Sequence, residues 1–538
     1  MTASFFVFIL LFFQLYLIII KIIEGINYKR KKAMVILTPD EIRRAEAEAN
    51  ASGLSYEEMM EKAGMGCAGH ILKSYPGSRN IVILAGKGKN GGDGFVIARG
   101  LSEAGKKVDV LCMFSSPSDE LSEKNKRRIQ GVAEIHNASV ITKSIVRLIE
   151  NADVIVDAVF GIGFKGSLPG NIKELFGIVN KQSSVKIAID IPSGLSSENE
   201  YTDDSFNADE TLSMLCFKKE HVYKPFRSRC GRVTVIPIGF DAASSGRNAL
   251  SVEDARRLLP ERPFDSHKGT FGKAMLVAGS YSMPGAGIIA AKGCLSSGAG
   301  LTYFAFPDRI YNTVTSHLCE CVFTPLPSSG KGGFSSAAFD CIAESIDSYD
   351  ALALGPGITR DSEVKEFAEK IIKNYKGKLI IDADGINIVS ENINLLKESK
   401  ADILLTPHPA EMGRLNSLTA KEINADREEI ALSFAKKYGV TLLLKGANTV
   451  VADKSGEIFI NPTGCSALSR GGSGDLLTGI ALSLAAQGLS LRDSAVLAAF
   501  LHGLAGEKAE EKYTAYAART ENIHGCIPEA LSSILRGK

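Results

Sequence analysis

Short apolar runs alternate with helix-length amphipathic segments along most of the chain, and this alternation constrains the fold more than any other feature. Continuous β-branched runs separated by helices are typical of parallel strands buried on both faces of a sheet. The first half is therefore predicted to be an α/β domain around a parallel sheet. Its runs are IVILAG (81–86), VDVLCMF (108–114), DVIVDAVFG (153–161), VKIAIDIPSG (185–194) and RVTVIPIG (232–239).

The second half repeats this rhythm. Its last run continues through DKSG into EIFINPTG, which predicts an antiparallel hairpin at that end of the sheet. A polar stretch, DAASSGRN, divides the two halves. We therefore predict two α/β domains, residues 34–240 and 249–538, joined by a linker at 241–248. The runs of the second half are KAMLVAGS (273–280), LTYFAFP (301–307), ALALGPG (351–357), KLIIDADG (378–385), ADILLTPHP (401–409) and TLLLKGANTVVAD (441–453).

The amino terminus differs from both halves. Residues 5–20 (FFVFILLFFQLYLIII) are almost wholly apolar, and a basic cluster, KRKK, follows at 29–32. By the positive-inside rule, a transmembrane helix over residues 5–23 would tether the chain to the membrane with both domains in the cytoplasm. In the alternative interpretation the chain starts at Met34, and residues 1–33 are a misassigned start. Both interpretations remain open.

Charge and cysteine usage exclude some functional classes. The chain has 62 Lys and Arg against 61 Asp and Glu, a formal net charge of +1, so it has no general attraction to nucleic acid and we expect no nucleic-acid partner. Its ten cysteines form no CxxC pattern, which predicts reduced thiols in the cytoplasm.

Glycine-rich and acidic residues follow three strands of the first half. In open α/β sheets, ligands bind at the carboxyl ends of the strands. GKGKNGGDG (86–94) offers backbone amides at a helix start, which suits an anion. DAVFGIGFKG places Asp157 at a second strand end, and IDIPSG places Asp190 and Ser193 at a third. Any one of these could be only a tight turn, but together they indicate a nucleotide cleft.

KNGGDG, DAVFGIGFKG and IDIPSG, in this order, resemble the NAD(P)H-hydrate epimerase domain. That family has a Rossmann-like fold and interconverts the R and S epimers of hydrated NADH and NADPH. The resemblance implies a potassium ion at Asn90, Asp157 and Ser193, whose oxygen atoms suit a hard cation. It also implies that the hydrated dinucleotide contacts Asp190 and two loops. The loop residues are Lys89, Asn90, Gly91, Gly92, Asp93, Gly161, Ile162, Gly163, Phe164, Lys165, Gly166 and Ser167.

Epimerisation at a carbon that bears nitrogen and hydroxyl requires proton transfer, so two acid–base groups are expected. We predict Asp190 as one. The resemblance implies Lys218 in TLSMLCFKKEH as the other, with its neighbour Lys219 as the alternative. Lys89 stands where the family usually has asparagine, and this difference could alter dinucleotide binding.

GGSGDLLTGIALSLAAQG (471–488) is the sharpest motif of the second half. Its glycines lie at a helix start, whose amides can stabilise a transferring phosphoryl group, and Asp475 could accept a proton from a hydroxyl. An aspartate is also common in the first turn of a helix, so a capping role is the alternative.

Seven motifs, HKGTFGKAMLVAGS, PGAG, GPG, DADGIN, TPHPAEM, KGANTVVAD and GGSGD, together resemble the ADP/ATP-dependent NAD(P)H-hydrate dehydratase, a ribokinase-like domain. The resemblance implies phosphorylation of the hydrate by ADP or ATP with Mg²⁺, with Asp475 as the base. His408 would line the site, although a lone histidine could also be a core residue. The implied hydrate contacts are Ala286, Gly357, His408 and Asp475. The implied nucleotide contacts are Lys445, Gly446, Ala447, Asn448, Thr449 and Gly474.

Asp382 and Asp384 in DADG either approach the metal or cap the next helix, and capping is the interpretation we favour. Ala410 replaces a usual glycine, and Cys465 and Arg470 replace the usual residues before GGSGD. These differences leave the choice between ADP and ATP open.

Together the halves resemble the bifunctional NAD(P)H-hydrate repair enzymes, and we expect a homo-oligomer. Two other functions remain: a ribokinase-like kinase of a small vitamin precursor fused to a non-catalytic Rossmann-like module, and an anchored first domain that binds without catalysis.

Overall fold

The computed structural model describes residues 34–115, 119–196, 204–223, 226–241 and 246–536. The membrane helix predicted over residues 5–23, and all of residues 1–33, lie outside these ranges. Within them, no helix is both long and apolar enough to cross a membrane.

The first half forms a parallel sheet, as its apolar runs predict. Among the described residues it has seven strands in the order β4-β3-β2-β5-β6-β7-β8, and every neighbouring pair is parallel. The strands are β2 Asn80–Ala85, β3 Lys107–Cys112, β4 Glu134–Asn137, β5 Val154–Ala158, β6 Val185–Ile189, β7 Glu210–Met214 and β8 Arg232–Ile236. The helices of this half are α1 Pro39–Ala51, α2 Tyr56–Ser74, α3 Lys89–Glu103, α4 Glu120–Arg128, α5 Lys143–Glu150, α6 Gly170–Val179 and α7 Lys219–Val222.

Helices cover both faces of this sheet, so its central strands β2, β5 and β6 are largely apolar. On β2, Ile81 and Ile83 pack into one core with Phe95, whereas Val82 and Leu84 belong to a second core on the opposite face. β2, β5 and β6 are neighbours, so their carboxyl ends meet at one edge of the sheet.

The second half is built on a larger sheet, with eleven strands in the described part of the chain. It is parallel from β12 to β16, while β17 runs antiparallel to both β16 and β18, so the predicted hairpin is confirmed. The order is β1-β9-β18-β17-β16-β15-β14-β13-β10-β11-β12. The strands are β1 Met34–Val35, β9 Arg247–Ala249, β10 Lys273–Val277, β11 Leu301–Pro307, β12 Val322–Leu326, β13 Ala351–Leu354, β14 Lys378–Ile381, β15 Asp402–Leu405, β16 Thr441–Leu444, β17 Val450–Ala452 and β18 Ile458–Ile460.

Helices also cover this second sheet. They are α8 Val252–Leu258, α9 Pro284–Ser296, α10 Tyr311–Thr315, α11 Ser362–Asn374, α12 Ala383–Glu391, α13 Leu395–Glu398, α14 Pro409–Asn416, α15 Ala420–Ala425, α16 Arg427–Tyr438, α17 Ser473–Ala486, α18 Leu491–Ala517, α19 Thr520–Gly525 and α20 Ile527–Arg536. The apolar α17 packs against α9, and this packing fixes the GGSGD segment over the sheet.

Two short strands cross the predicted division of the chain. β1, at the start of the predicted first domain, pairs antiparallel with β9 in the second sheet, and β9 begins inside the predicted linker. The outer edge of β18 presents backbone N–H and C=O groups, and β9 pairs with this edge in parallel orientation. The segment after β1 also bonds to the first half, since the Leu37 amide donates to the carbonyl of Phe217.

Candidate active sites

A cavity of about 790 Å³ opens at the shared edge of β2, β5 and β6. This volume suits a cofactor-sized ligand. Most of the residues predicted for the first site line it: Lys89, Asn90, Asp93, Gly161, Ile162, Gly163, Phe164, Lys165, Ser167, Asp190 and Lys218. Other described residues of the predicted loops, Gly91, Gly92 and Gly166, are absent from this lining.

Backbone packing, rather than ligand contact, accounts for Gly91. A Cβ atom at this position would lie 2.1 Å from the carbonyl oxygen of Gly86, which only glycine tolerates. The glycine therefore lets the start of α3 approach the end of β2, and this close approach positions Asn90 at the cavity.

An ion pair lies in the cavity. The Lys218 Nζ atom is 2.6 Å from Asp190 Oδ1, and Lys218 is 1% exposed. The second carboxylate oxygen accepts a hydrogen bond of 2.9 Å from the Ile162 amide. Burial alone would raise the pKa of Asp190, but the Lys218 ammonium holds it below its ordinary value. Asp190 in turn raises the pKa of Lys218, so the pair is charged.

Lys219, the alternative acid–base residue, lies elsewhere. Its side chain is exposed at the start of α7, with its nitrogen 5.6 Å from the centre of the Tyr223 ring. Of the two neighbours, only Lys218 lines the cavity and contacts Asp190.

His221 is a buried residue beside this pair that the sequence analysis missed. Its Nε2 atom lies 2.8 Å from the carbonyl oxygen of Asp190, and the Lys218 amide donates to its Nδ1 atom at 3.0 Å. Burial and the Lys218 charge lower the pKa of His221 to about 3, so the ring is neutral. The signal available was a histidine three residues after the lysine, which alone is weak.

The three residues predicted to hold potassium come from neighbouring segments: Asn90 lies in the first turn of α3, Asp157 near the end of β5, and Ser193 shortly after β6. Asp157 is buried and accepts hydrogen bonds from the Ser193 amide (2.8 Å), the Ser193 hydroxyl (2.7 Å) and the Val159 amide (3.1 Å). Burial raises the pKa of Asp157 to about 6. Asn90 donates to the Ile189 carbonyl at 3.3 Å. Across the described ranges, no group of three or more His, Cys, Asp or Glu side chains is placed to hold a metal ion by those side chains alone.

Two further carboxyl groups face the Asp190–Lys218 pair. Burial raises the pKa of Glu46 on α1, and burial together with the charge of Asp190 raises that of Asp93 on α3. Lys89 is 3.9 Å from Glu46 at the cavity wall. Sequence reasoning missed Glu46, because a glutamate on an amphipathic helix resembles an ordinary exposed residue.

The second site is arranged around Asp382 at the end of β14. Lys445 Nζ lies 2.8 Å from Asp382 Oδ1 and 3.9 Å from Glu411 Oε2. The hydroxyls of Thr406 and Thr478 donate to Asp382 at 2.8 and 2.7 Å. The Asp382 side chain makes no capping bond, so the favoured capping role is wrong for this residue. Four different segments meet here, which is why sequence reasoning did not find the cluster.

Asp475 lies in the first turn of α17, beside the Lys445–Asp382 pair. Burial and the charge of Asp382 raise its pKa to about 7, although Lys445 opposes that rise. At the neighbouring Gly474, a Cβ atom would lie 3.2 Å from Lys445 Nζ. The lysine nitrogen and the start of α17 therefore share one site, as the predicted roles of these residues require.

His408 is not a core residue, because its side chain is 46% exposed. Its Nδ1 atom accepts hydrogen bonds from the amides of Ala410 (3.1 Å) and Glu411 (3.3 Å) and caps α14. Ala286 and Gly357, both predicted to contact the hydrate, are adjacent: a Cβ atom at Gly357 would lie 2.8 Å from that of Ala286.

The predicted nucleotide loop, residues 445–449, connects β16 to β17 and borders the first half. Gly446 and Ala447 are exposed, and Thr449 bonds to the backbone of Gly446. The Asn448 amide donates to the carbonyl of Val222 at 2.8 Å. This loop therefore touches the segment that carries Lys218.

The fold and these sites define a two-domain α/β protein with a polar, catalytically equipped site at the carboxyl edge of each sheet. Residues 56–220 match the YjeF-related protein N-terminus family, and residues 274–529 match the NAD(P)H-hydrate dehydratase family.

Relatives cover nearly the whole chain. The bifunctional NAD(P)H-hydrate repair enzyme of Moorella thermoacetica is 33% identical over 495 residues, 88% of this chain and 92% of that protein. The Escherichia coli enzyme of the same name is 29% identical, covering 87% of this chain and 88% of that protein. A solved Bacillus subtilis structure, an ADP/ATP-dependent NAD(P)H-hydrate dehydratase co-crystallised with ATP/Mg²⁺, is 28% identical over 53% of this chain and 97% of its own, with a TM-score of 0.46. The chain belongs to the family of bifunctional NAD(P)H-hydrate repair enzymes, which confirms the resemblance seen in the sequence.

Proposed function

We propose that the chain repairs hydrated NADH and NADPH, with one step at each site. The first domain, Rossmann-like, would epimerise the R and S hydrates at the Asp190–Lys218 pair. The second domain, ribokinase-like, would dehydrate the S form at the Lys445–Asp475 site with ADP or ATP. The observation that carries the first assignment is the buried ion pair, 2.6 Å long, in a cavity large enough for a cofactor.

Epimerisation can proceed by ring opening: the C6 hydroxyl loses its proton, the N1–C6 bond breaks to leave an aldehyde at C6, and N1 gains a proton. Attack of N1 on the other face of the aldehyde re-forms the bond and reverses both proton transfers, so a donor and an acceptor must be held together. In this scheme the Lys218 ammonium donates to N1 and the Asp190 carboxylate accepts the hydroxyl proton. Their contact keeps both groups in the required charge state before the substrate binds.

The two predicted loops would hold the dinucleotide. The start of α3 offers backbone amides to a diphosphate, and Lys89 would add a positive charge there. Phe160 and Phe164, with ring centroids 4.6 Å apart, supply an apolar wall. These features support substrate contacts by the loop residues that line the cavity: Lys89, Asn90, Asp93, Gly161, Ile162, Gly163, Phe164, Lys165 and Ser167.

Asn90, Asp157 and Ser193 would bind the potassium ion. The chemistry of these residues fits, because the buried Asp157 carboxyl receives hydrogen bonds from neutral donors and would gain from a cation. When bound, the ion would supply a positive charge close to the carboxyl ends of β5 and β6. Asp157 itself holds Ser193, and thereby the end of β6, in place.

Dehydration would begin with transfer of a phosphoryl group from the nucleotide to the C6 hydroxyl. Asp475 would accept the hydroxyl proton, and the amides at the start of α17 would stabilise the transferring group. Phosphate then leaves C6, driven by the ring nitrogen, and loss of a proton from C5 restores the reduced cofactor. Hydroxide is a far poorer leaving group, which explains why a nucleotide is consumed.

Residues 445–449 and Gly474 would bind the nucleotide, and Ala286, Gly357 and His408 the hydrate. The phosphates of ADP or ATP and the carboxylates around Lys445 would hold the accompanying Mg²⁺. This suits an ion that takes few protein ligands. Arg470 donates to the carbonyls of Ala467 and Ala515, so its guanidinium holds the segment before GGSGD.

The test uses purified protein and a mixture of R- and S-NADPH hydrate, with ADP/Mg²⁺ or ATP/Mg²⁺. Recovery of the near-ultraviolet absorbance of the reduced nicotinamide is followed. We expect complete recovery with at least one nucleotide. Recovery that stops part-way would contradict the epimerase assignment, and no recovery with either nucleotide would contradict the dehydratase assignment.

The homo-oligomer and the membrane tether over residues 5–23 stay predictions. Sedimentation velocity tests the first. Detergent-free fractionation of the full-length protein tests the second.

A further inference from the structure

His221 connects the two residues assigned to epimerisation, although it does not line the cavity. Its side chain is fully buried, its Nδ1 atom bonds to the backbone of Lys218, and its Nε2 atom bonds to the backbone of Asp190. A buried histidine with two backbone partners needs an explanation, because an apolar residue would fill the same space without polar atoms to satisfy.

These partners fix the form of the ring. The Lys218 amide can only donate, so Nδ1 must be the acceptor, and the Asp190 carbonyl can only accept, so Nε2 must carry the proton. Only the neutral Nε2–H tautomer makes both bonds. A protonated ring would direct a second N–H group at the Lys218 amide.

The backbone of Asp190 has an unusual conformation that the hydrogen bond from the His221 ring would stabilise. Its φ angle is 69°, in the left-handed region that residues other than glycine rarely adopt. The Asp190 amide donates to the carbonyl of Leu212 at 2.8 Å, and its own carbonyl accepts from His221. With the backbone fixed on both sides, the carboxylate reaches Lys218 and the Ile162 amide.

We propose that His221 is a positioning residue for epimerisation, which holds Asp190 in its left-handed conformation and so keeps its carboxylate against Lys218. The proposal rests on the proposed function of that pair. Without the bond from Nε2, the Asp190 backbone is free to relax, and the carboxylate withdraws from the ammonium group. A displacement of about 1 Å can reduce a rate roughly a hundredfold without weakening substrate binding.

Three variants separate the two bonds. His221→Phe removes both, His221→Gln retains a donor near the position of Nε2, and His221→Asn retains an acceptor near that of Nδ1. Interconversion of pure R-NADPH hydrate is followed chromatographically without nucleotide, so that the second site is idle. We expect kcat of His221→Phe to fall about 10- to 100-fold with KM within about twofold. His221→Gln should recover most of the rate, and His221→Asn little.

His70→Phe is the matched control. His70 belongs to the same domain and bonds to the buried Glu210 at 3.0 Å, at the opposite end of β7 from the cavity. Its kcat for epimerisation should stay within about twofold of wild type. Urea unfolding followed by circular dichroism, measured on the same samples, checks that the first domain of each variant is folded.

The outcomes are distinct. If the wild-type protein does not interconvert the epimers, the proposed function fails before His221 is tested. If it does, an unchanged kcat in His221→Phe, or an equal fall in His70→Phe, overturns the positioning role. Should His221→Phe fail to fold, equal rates for His221→Gln and His221→Asn would overturn it.

Discussion

Two aspartates, one in each domain, lie close to a lysine yet differ in charge state. Asp190 contacts Lys218 directly, and its pKa is held below the ordinary value despite burial. In the second domain, Lys445 contacts Asp382 instead, and the pKa of Asp475 rises to about 7. Burial acts to raise the pKa of both aspartates, so the direct contact with a lysine, which Asp190 has, accounts for the opposite directions of their pKa shifts.

This difference suits the two reactions proposed. Epimerisation runs in both directions, so the pair that catalyses it benefits from one group that is always protonated, the ammonium, and one that is always ionised, the carboxylate. A base that removes one hydroxyl proton works best with a pKa near the working pH. If the two aspartates differ in charge state, substitution and pH should affect the two domains differently.

Asp475→Asn should produce the largest effect. Removal of the base should reduce kcat for dehydration of S-NADPH hydrate by about a thousandfold or more, while epimerisation stays within about twofold. Absorbance recovery measures the first activity and chromatography without nucleotide the second. Equal losses of both activities would mean that the sites are not independent.

Asp190→Asn should lower the free energy of unfolding of the first domain by about 3 to 5 kcal/mol, because the buried Lys218 ammonium loses the carboxylate that contacts it. Urea unfolding at neutral pH measures the change. The double variant Asp190→Asn/Lys218→Met, which removes both charges, should regain much of this stability. If the double variant is no more stable than Asp190→Asn alone, the pair is not the source of the loss.

The corresponding aspartate-to-asparagine substitution in the second domain should raise the free energy of unfolding rather than lower it. The folded-state pKa of Asp475, about 7, lies above its unfolded value, so this group favours folding at low pH and loses that contribution as the pH rises through 7. Asp475→Asn should thus stabilise the second domain at pH 8 by about 1 to 3 kcal/mol. The gain should shrink as the pH falls towards 4. A destabilised variant at pH 8 would show that the attraction of Lys445 outweighs the combined effect of burial and the Asp382 charge on Asp475.

The sequence predicted the long strands, because continuous apolar runs are local signals. Its strand ends were less accurate: several predicted runs extend past the strands, and the run at 441–453 contains two strands, β16 and β17. It missed β4, β7 and β12, which carry EIHN, ETLSM and VFTPL, since short strands with polar residues or proline resemble loops. The pairing of β1 with β9 was also missed, because a two-residue strand has no periodicity to detect.

Site residues, like strands, can be predicted from the sequence only where they leave a local signal. Asp190 and Asp475 stand out because they break apolar patterns at strand and helix ends. Asp382, in contrast, was predicted as a cap, and its contact with Lys445 joins residues 63 positions apart in the sequence. Which lysine faces which carboxylate depends on tertiary packing, and so the charge states compared above could only come from the structure.

The smallest predicted effect is the pH dependence of the two rates. Between pH 6 and 8 the ionised fraction of Asp475 in the free protein rises roughly tenfold, so kcat/KM for dehydration should rise by a similar factor. Asp190 stays ionised throughout, since its pKa lies below its ordinary value of 3.8, and kcat/KM for epimerisation should vary little over this range. Both rates are measured at substrate concentrations well below KM, with dehydration started from pure S-NADPH hydrate. The residual dehydration of Asp475→Asn should lose the dependence, which separates titration of this carboxyl from titration of the nucleotide phosphates. If instead both wild-type rates rose together with one apparent pKa, the two aspartates would not differ in charge state, because a shared group would control both reactions.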